Sequence, residues 1–290
     1  MAETPRLPPE LEREILETTA LLYPNTIPQL LRVARRVLSW IEPILYHRVF
    51  IPGLQEKSGN GGAILRALST KPADFFSTAV RHLYVFAIDW TLFNSSLPNR
   101  WSDAELEKVL RACTFVVNLL LIGDLAKPPL LRMVAEMRPT RLVMLGDLMS
   151  PQLDLTIPFF HNLSHFFIGD ISRRGGVMHA NWPQLHNLAE LRSLTHLALS
   201  NCTAPDVVSD LLCGCLRLRV LIVCTQEAIP ALEGIDDCRL VLMVKTENIV
   251  EDWDLGIRGG KDIWVRADAA TLHKRREEIE GDFRFRQFEK

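Results

Sequence analysis

The chain has 290 residues, of which 48% are hydrophobic and 23% are charged, and its formal net charge is −2. This composition is typical of a folded protein of one or two domains with a sizeable core. The balanced charge and the lack of a basic stripe argue against a nucleic-acid partner. Apolar runs such as 115–123 are broken by Asn or Gly before they reach membrane-spanning length, so we expect no membrane partner.

The N-terminal residues 1–10 carry no apolar stretch of the kind found in a secretory signal, which favours a cytoplasmic or nuclear location. The six cysteines lie in apolar surroundings and are predicted to be core thiols. Cys213 and Cys215 are too close together for the usual zinc spacing. We therefore expect no metal and no cofactor.

Residues 7–50 are predicted to be helical. Pro8 and Pro9 suit the first turn of a helix, and the run at 23–28 breaks the apolar pattern. A second helix is expected from about Pro28 to Trp40, with a boundary at Pro43 before a third helical run. Such a unit, assigned to residues 1–50, is too small to be robust alone and should pack against a neighbour.

Residues 51–62 read as a linker, because Gly, Ser, Asn and charged residues cluster there. The region 63–257 then alternates short apolar runs with amphipathic helical runs. Three of the apolar runs end in Gly-Asp, and Gly123, Gly146 and Gly169 are spaced by 23 residues twice. Further strand-like copies begin at His82, His196, Arg219 and Arg239. Helices are expected at 103–113, 128–137 and 205–215.

One strand and one helix repeated every 20 to 30 residues predicts an α/β fold resembling an irregular leucine-rich-repeat solenoid. In such a solenoid the strand side would be the partner surface. Residues 258–290 are expected to form a C-terminal helix and a charged tail. The stretch 268–290 is expected to be a solvated helix with paired charges on its exposed face.

The N-terminal run resembles an F-box. The opening pattern is matched at Leu7, Pro8, Glu10, Leu11, Ile15 and Leu16, the middle at Leu30, Leu31, Val33, Arg35 and Arg36, and the end at Pro43, Leu45 and Tyr46. The arrangement of such a helical module before strand–helix repeats is similar to that of the F-box and leucine-rich-repeat proteins. It resembles in particular the F-box-like proteins of mushroom-forming fungi.

The resemblance implies a non-catalytic substrate receptor of a cullin-based (SCF-type) ubiquitin ligase. The small cullin adaptor would bind the N-terminal helices, and an unidentified target protein would bind the repeats. An apolar strip on a helix can be received by a groove of the adaptor. The residues expected to bind the adaptor are Leu7, Pro8, Leu11, Ile15, Leu16, Leu45 and Tyr46. Leu30, Leu31, Val33 and Ile41 are candidates for the core of the module itself.

Two alternatives stay open. One is a non-catalytic interaction scaffold whose F-box has diverged. The other is an α/β enzyme that uses a row of carboxylates, Asp124, Asp147 and Asp170, on adjacent parallel strands, for cation binding or acid–base chemistry. The structural interpretation of that row is that each Asp accepts backbone hydrogen bonds in the turn after its strand. No nucleophile motif accompanies the histidines, so no catalytic residue is expected.

Overall fold

The computed structural model describes nine stretches of the chain, which are 7–51, 60–87, 103–123, 132–146, 154–170, 186–200, 204–225, 230–244 and 248–288. Within these stretches, eight strands form one parallel sheet whose order follows the chain. The strands are β1 (Arg48–Ile51), β2 (His82–Ala87), β3 (Asn118–Gly123), β4 (Arg141–Gly146), β5 (His165–Asp170), β6 (His196–Ser200), β7 (Val220–Thr225) and β8 (Leu240–Val244). The prediction of an α/β fold is confirmed.

The chain begins with three helices and a single 3₁₀ turn, Pro24–Thr26. The helices are α1 (Pro9–Leu22), α2 (Ile27–Leu30) and α3 (Arg35–Leu45). The expected single helix from Pro28 to Trp40 is wrong, because Ala34 adopts an extended backbone (φ −162°, ψ 159°) and separates α2 from α3. The expected boundary at Pro43 is also wrong. Pro43 lies in the last turn of α3, where its missing N–H costs only one helical hydrogen bond.

The sequence does not predict strand β1, because its residues fall within the predicted helical region and linker. It leads directly out of the N-terminal helices and pairs with β2 from Arg48↔His82 to Ile51↔Val85. The predicted linker at 51–62 is also shorter than expected at its C-terminal end, because α4 (Asn60–Thr70) already begins within it. The N-terminal helices and the sheet are therefore joined by a shared strand.

Helical segments between the strands cover one face of the sheet. Besides α4 they are α5 (Phe75–Ala79), α6 (Asp103–Ala112), α7 (Pro205–Gly214), α8 (Pro230–Glu233) and the 3₁₀ turns Pro158–Phe160 and His186–Glu190. Two of the predicted helices, at 103–113 and 205–215, are confirmed by α6 and α7. Of the third, residues 132–134 are helical and 128–131 lie outside the described residues.

The predicted 23-residue repeat holds for one step and then slips. Gly123 pairs with Gly146, as the repeat requires, but Gly146 pairs with Asp170 and Leu145 pairs with Gly169. A shift of one residue turns a side chain to the opposite face of a sheet. Position 169 therefore faces the opposite side of the sheet from position 146. Only glycine fits there without a shift of its neighbours, because an added Cβ would lie 2.5 Å from Leu145 Cδ2.

The second face of the sheet is covered by the C-terminal helices α9 (Ile249–Ile257) and α10 (Ile263–Phe288). The turn between them is built by Gly259, whose φ of +78° is readily adopted by glycine. The N–H of Gly259 donates to Gly256 O and that of Gly260 to Leu255 O, which closes α9 as a Schellman motif. Asp262 then caps α10 by accepting from Val265 N at 2.9 Å.

Candidate docking surfaces

The N-terminal helices surround a small core of their own. Its fully enclosed members are Ala20, Ile27, Val37 and Ile41. Of the predicted core residues, Ile41 is fully buried, and Leu30 and Leu31 pack partly buried against the cluster. Val33 is 61% exposed, so its predicted place in the core is wrong.

An apolar stripe runs along the outer side of α1. Leu11 is 47% exposed, Ile15 is 53% exposed and Leu22 is 67% exposed. With about 3.6 residues per turn, these three side chains leave the helix in nearly one direction. Ala20, which is buried, lies two and a half turns after Leu11 and so points the opposite way. Helix α1 therefore uses one side for its own core and leaves an apolar side uncovered by the described residues.

The other residues predicted to bind the adaptor divide into two groups. Leu7 and Pro8, just before α1, and Leu45, at the end of α3, are exposed. Leu16 is half-buried against the small core. Tyr46 is half-buried too, and it packs edge-on against Phe75 and Phe76 with ring centroids 5.4 and 5.3 Å apart.

One ion pair fixes α1 against α3. The Arg36 guanidinium donates to both carboxylate oxygens of Glu12, at 2.8 and 3.1 Å. The hydrogen bond from Arg36 to Glu12 and the charge of that carboxylate raise the pKa of Arg36. Because the pair is exposed to solvent, it orients the helices more than it stabilises them.

Exposed large apolar side chains are concentrated in these helices. Nine of the seventeen found among the described residues lie between positions 7 and 45, namely Leu7, Leu11, Ile15, Leu21, Leu22, Tyr23, Val33, Leu38 and Leu45. Scattered exposed apolar residues are ordinary in soluble proteins, whereas a contiguous group such as the stripe on α1 is a candidate interaction surface.

The strand face predicted as the partner surface is occupied by the chain itself. The first residues of six strands lie in register and form a polar row, the amino-end ladder, consisting of Arg48, His82, Asn118, Arg141, His165 and His196. On β2 to β6 the next residues on that face are apolar and buried with Trp253, Ile263, Trp264 and Ala267 of the C-terminal helices, whereas Phe50 on the outer strand β1 is 42% exposed. Within the stretch 268–290, for which a solvated helix is expected, the side chains at 268, 269 and 272–276 are exposed, and Thr271 is buried.

The C-terminal helices are tied to the amino ends of the strands by two ion pairs and one further polar contact. Arg48 contacts Asp254 at 3.0 Å, Arg141 contacts Asp262 at 3.4 Å, and His196 Nε2 lies 3.1 Å from Asp268 Oδ1. Sequence reasoning missed these carboxylates. Trp253 and Trp264, together with the apolar residues Ile249, Val250 and Ile263, were the sequence signal that this segment is buried.

A stack of two histidines lies at the amino ends of β5 and β6. The rings of His165 and His196 are 4.2 Å apart and 5° from parallel, and the Trp264 ring contacts both edge-on. Burial, His196 and Arg141 lower the pKa of His165 to about 3. Burial, with nearby His47 and Arg48, lowers the pKa of His82 to about 4. The two low values favour neutral imidazoles in the folded protein.

The carboxylate row considered for an enzyme is described only in part. Asp170 ends β5 opposite Gly146, whereas Asp124 and Asp147 lie outside the described residues. Because of the register slip, Asp170 is aligned with Gly146 and not with the residue that follows it. Among the residues that the structure describes, no three His, Cys, Asp or Glu side chains are grouped to hold a metal ion.

The cysteines only partly follow the prediction of core thiols. Cys113, Cys215 and Cys224 are buried, Cys238 is half-buried and Cys213 is exposed. Burial raises the pKa of Cys113 to about 12 and that of Cys215 to about 11, so both stay protonated thiols at neutral pH. Cys202 lies outside the described residues.

No protein-family model matches the chain, and comparisons with curated proteins and with solved structures found no match. In the described part of the chain, no helix has the length and apolar character needed to cross a membrane.

Proposed function

We propose that this chain is an F-box-like substrate receptor whose N-terminal helices bind the small adaptor of a cullin-based ubiquitin ligase. The observation that carries the proposal is the uncovered stripe of Leu11, Ile15 and Leu22 on α1, opposite the buried Ala20. A helical partner can receive such a stripe in a groove, and Leu7 and Pro8 extend the exposed surface at its N-terminal end.

The sheet is proposed to be an irregular leucine-rich-repeat-like solenoid that carries a target protein. All of its strands are parallel and adjacent in chain order, and helical segments cover one face, which is the arrangement that stacked strand–helix units would give. Since α9 and α10 cover the strand face, a target would have to bind elsewhere on the sheet unit.

The test is a binding measurement between the full-length chain and the purified cullin adaptor. Leu11→Asp and Ile15→Asp together place two charges on the stripe, and both sites are exposed enough for the fold to survive. Because buried contacts at the centre of an interface dominate affinity, we expect the double variant to bind at least about tenfold more weakly. Leu216→Asp is the matched control, since Leu216 is 88% exposed and lies far from α1 in the chain.

Equal affinity of the double variant and the wild type, or no binding by either, would refute adaptor docking through α1. The second result would favour the alternative of a non-catalytic scaffold. The packing of Tyr46 against Phe75 and Phe76 supports that alternative, because it reduces the surface that the third helix can offer to an adaptor.

A further inference from the structure

The two outer strands of the sheet, β1 and β8, differ in whether the outward backbone groups of their free edges are hydrogen-bonded. The outer edge of β8 is capped by the chain itself, since Lys274 Nζ donates to Leu240 O at 2.7 Å. A lysine on an edge strand is a common way to discourage pairing with another chain. The other outer strand, β1, has no such cap among the described residues.

The hydrogen-bond pattern shows which groups of β1 are free. His82 N–H donates to His47 O at 3.0 Å, and β1 and β2 are parallel. In a parallel ladder alternate residues bond to the same neighbour, so Val49 and Ile51 face β2. The N–H and C=O groups of Arg48 and Phe50 therefore point outward, and no described residue bonds to them.

A groove of about 830 Å³ lies beside this edge. It runs between the N-terminal helices, β1 and α9, and its apolar lining includes Leu21, Ile27, Phe50, Val250 and Leu255. Its wall is held in place because Asp254 on α9 accepts from Arg48 at 3.0 Å and contacts Arg258. Arg48, Arg258, Glu251 and Asp254 bring opposite charges that balance within the groove.

We propose that the outer edge of β1 and this groove bind an extended peptide segment of a partner protein by adding a ninth strand to the sheet. The outward N–H and C=O groups of Arg48 and Phe50 match an extended backbone, which offers the same groups at the same spacing. One apolar side chain of the peptide would enter the groove, and the balanced charges favour a peptide without strong net charge. The inference stands whether or not α1 binds the cullin adaptor, although Leu45 lies on both surfaces.

The test begins with selection from a phage-displayed library of random peptides on the full-length chain. Recovered peptides are expected to share a short alternation of apolar and polar residues without proline. One such peptide is then synthesised with a fluorophore, and its affinity is measured by anisotropy. If no alternating sequence is enriched, the proposal is overturned.

A matched pair of variants separates backbone pairing from side-chain contact. Phe50→Ala and Phe50→Pro both remove the ring, but only Phe50→Pro removes the outward N–H, and it does so without breaking a bond to β2. We expect Phe50→Pro to bind the peptide roughly tenfold more weakly than Phe50→Ala. Equal affinities of the two variants would overturn strand addition.

If Phe50→Pro fails to fold, hydrogen exchange of the wild-type protein with and without the peptide provides an independent test. Addition of the peptide should slow exchange at the Phe50 amide, and unchanged exchange there contradicts the proposal. If the chain alone forms a dimer that Phe50→Ala keeps and Phe50→Pro dissociates, the occupant is a second copy and the proposed partner is wrong. Adaptor binding should be the same for Phe50→Pro and Phe50→Ala, which distinguishes this site from α1.

Discussion

The N-terminal helices and the sheet differ in how completely they bury their apolar side chains. Strand β3 is buried at all six of its positions, because helices cover both faces of the sheet. Helix α1, by contrast, has a single fully buried residue among fourteen, Ala20. The sheet is thus the middle layer of three, with helices on both faces. The N-terminal helices form a single layer, and one apolar side of α1 is exposed to solvent.

This difference indicates where a partner can act. On the sheet, the face that would be open in an uncovered solenoid is closed by α9 and α10 of the same chain. On α1, no described residue closes the stripe of Leu11, Ile15 and Leu22. An apolar surface of this kind is costly to leave in water, and this is the physical ground on which a partner is proposed for it.

The largest effect is expected where the C-terminal cover meets the sheet. Trp264 is 2% exposed and contacts the His165 and His196 rings. Trp264→Ala should lower the free energy of unfolding by about 3–5 kcal/mol, because it leaves a large cavity. Val265→Ala, at the neighbouring position, which is 45% exposed, should change it by about 0.5 kcal/mol or less. Chemical denaturation measures both, and similar values for the two variants would contradict the idea of a packed cover.

A smaller and more local effect is expected in the N-terminal helices. Ile41 is fully buried in a cluster of only four enclosed residues, so Ile41→Ala should cost about 2–4 kcal/mol. The loss should appear in hydrogen exchange as faster exchange in α1 and α3, with the amides of β3 unchanged, since small units open separately from a large core. Leu38→Ala is the control, because Leu38 is 39% exposed. Uniformly faster exchange across the sheet would show that the two regions unfold as one.

The strands could be predicted because their signal is local. A parallel strand covered on both faces consists of nearly continuous apolar residues, and the runs at β3, β4 and β7 have this character. Strand β1 escaped prediction because it has only four residues and directly follows a helix. The register slip at β5 was also hidden, since the Gly-Asp pair at Gly169 reproduces the spacing but not the pairing.

The covering of the strand face could not be derived from local pattern. Arg48 and Asp254 are 206 residues apart in the chain, and His196 and Asp268 are 72 apart. Asp268, in the stretch expected to be a solvated helix, has its partner His196 on a distant strand end. For the candidate docking surface, helical spacing was sufficient to predict that Leu11 and Ile15 lie on the same side of α1. The packing of Tyr46 could not be predicted in this way, because it depends on Phe75 and Phe76, which are distant in the chain.

The smallest effect is expected in the dependence of stability on pH, and it tests whether the covered face is as dry as its packing indicates. His165 has a pKa lowered to about 3 by burial, His196 and Arg141, whereas an unfolded histidine titrates near about 6.5. As the pH falls below that value, the unfolded chain takes up a proton that the folded chain does not. His165 therefore lowers the free energy of unfolding by up to about 1.4 kcal/mol per pH unit on acidification toward its folded pKa.

His165→Phe keeps an aromatic ring against Trp264 and removes the titrating group. Between about pH 6 and pH 4, where the proton difference operates, we expect its stability to fall less steeply than that of the wild type. Burial raises the pKa of Asp262, so protonation of Asp262 increases the free energy of unfolding on acidification, opposite to the effect of His165. Asp262 is present in both proteins, so its contribution cancels when their pH profiles are compared. Parallel pH profiles of the two proteins, or a His165 ring that titrates near neutral pH by NMR, would mean that water reaches the histidine stack and that the C-terminal helices cover the strand ends only loosely.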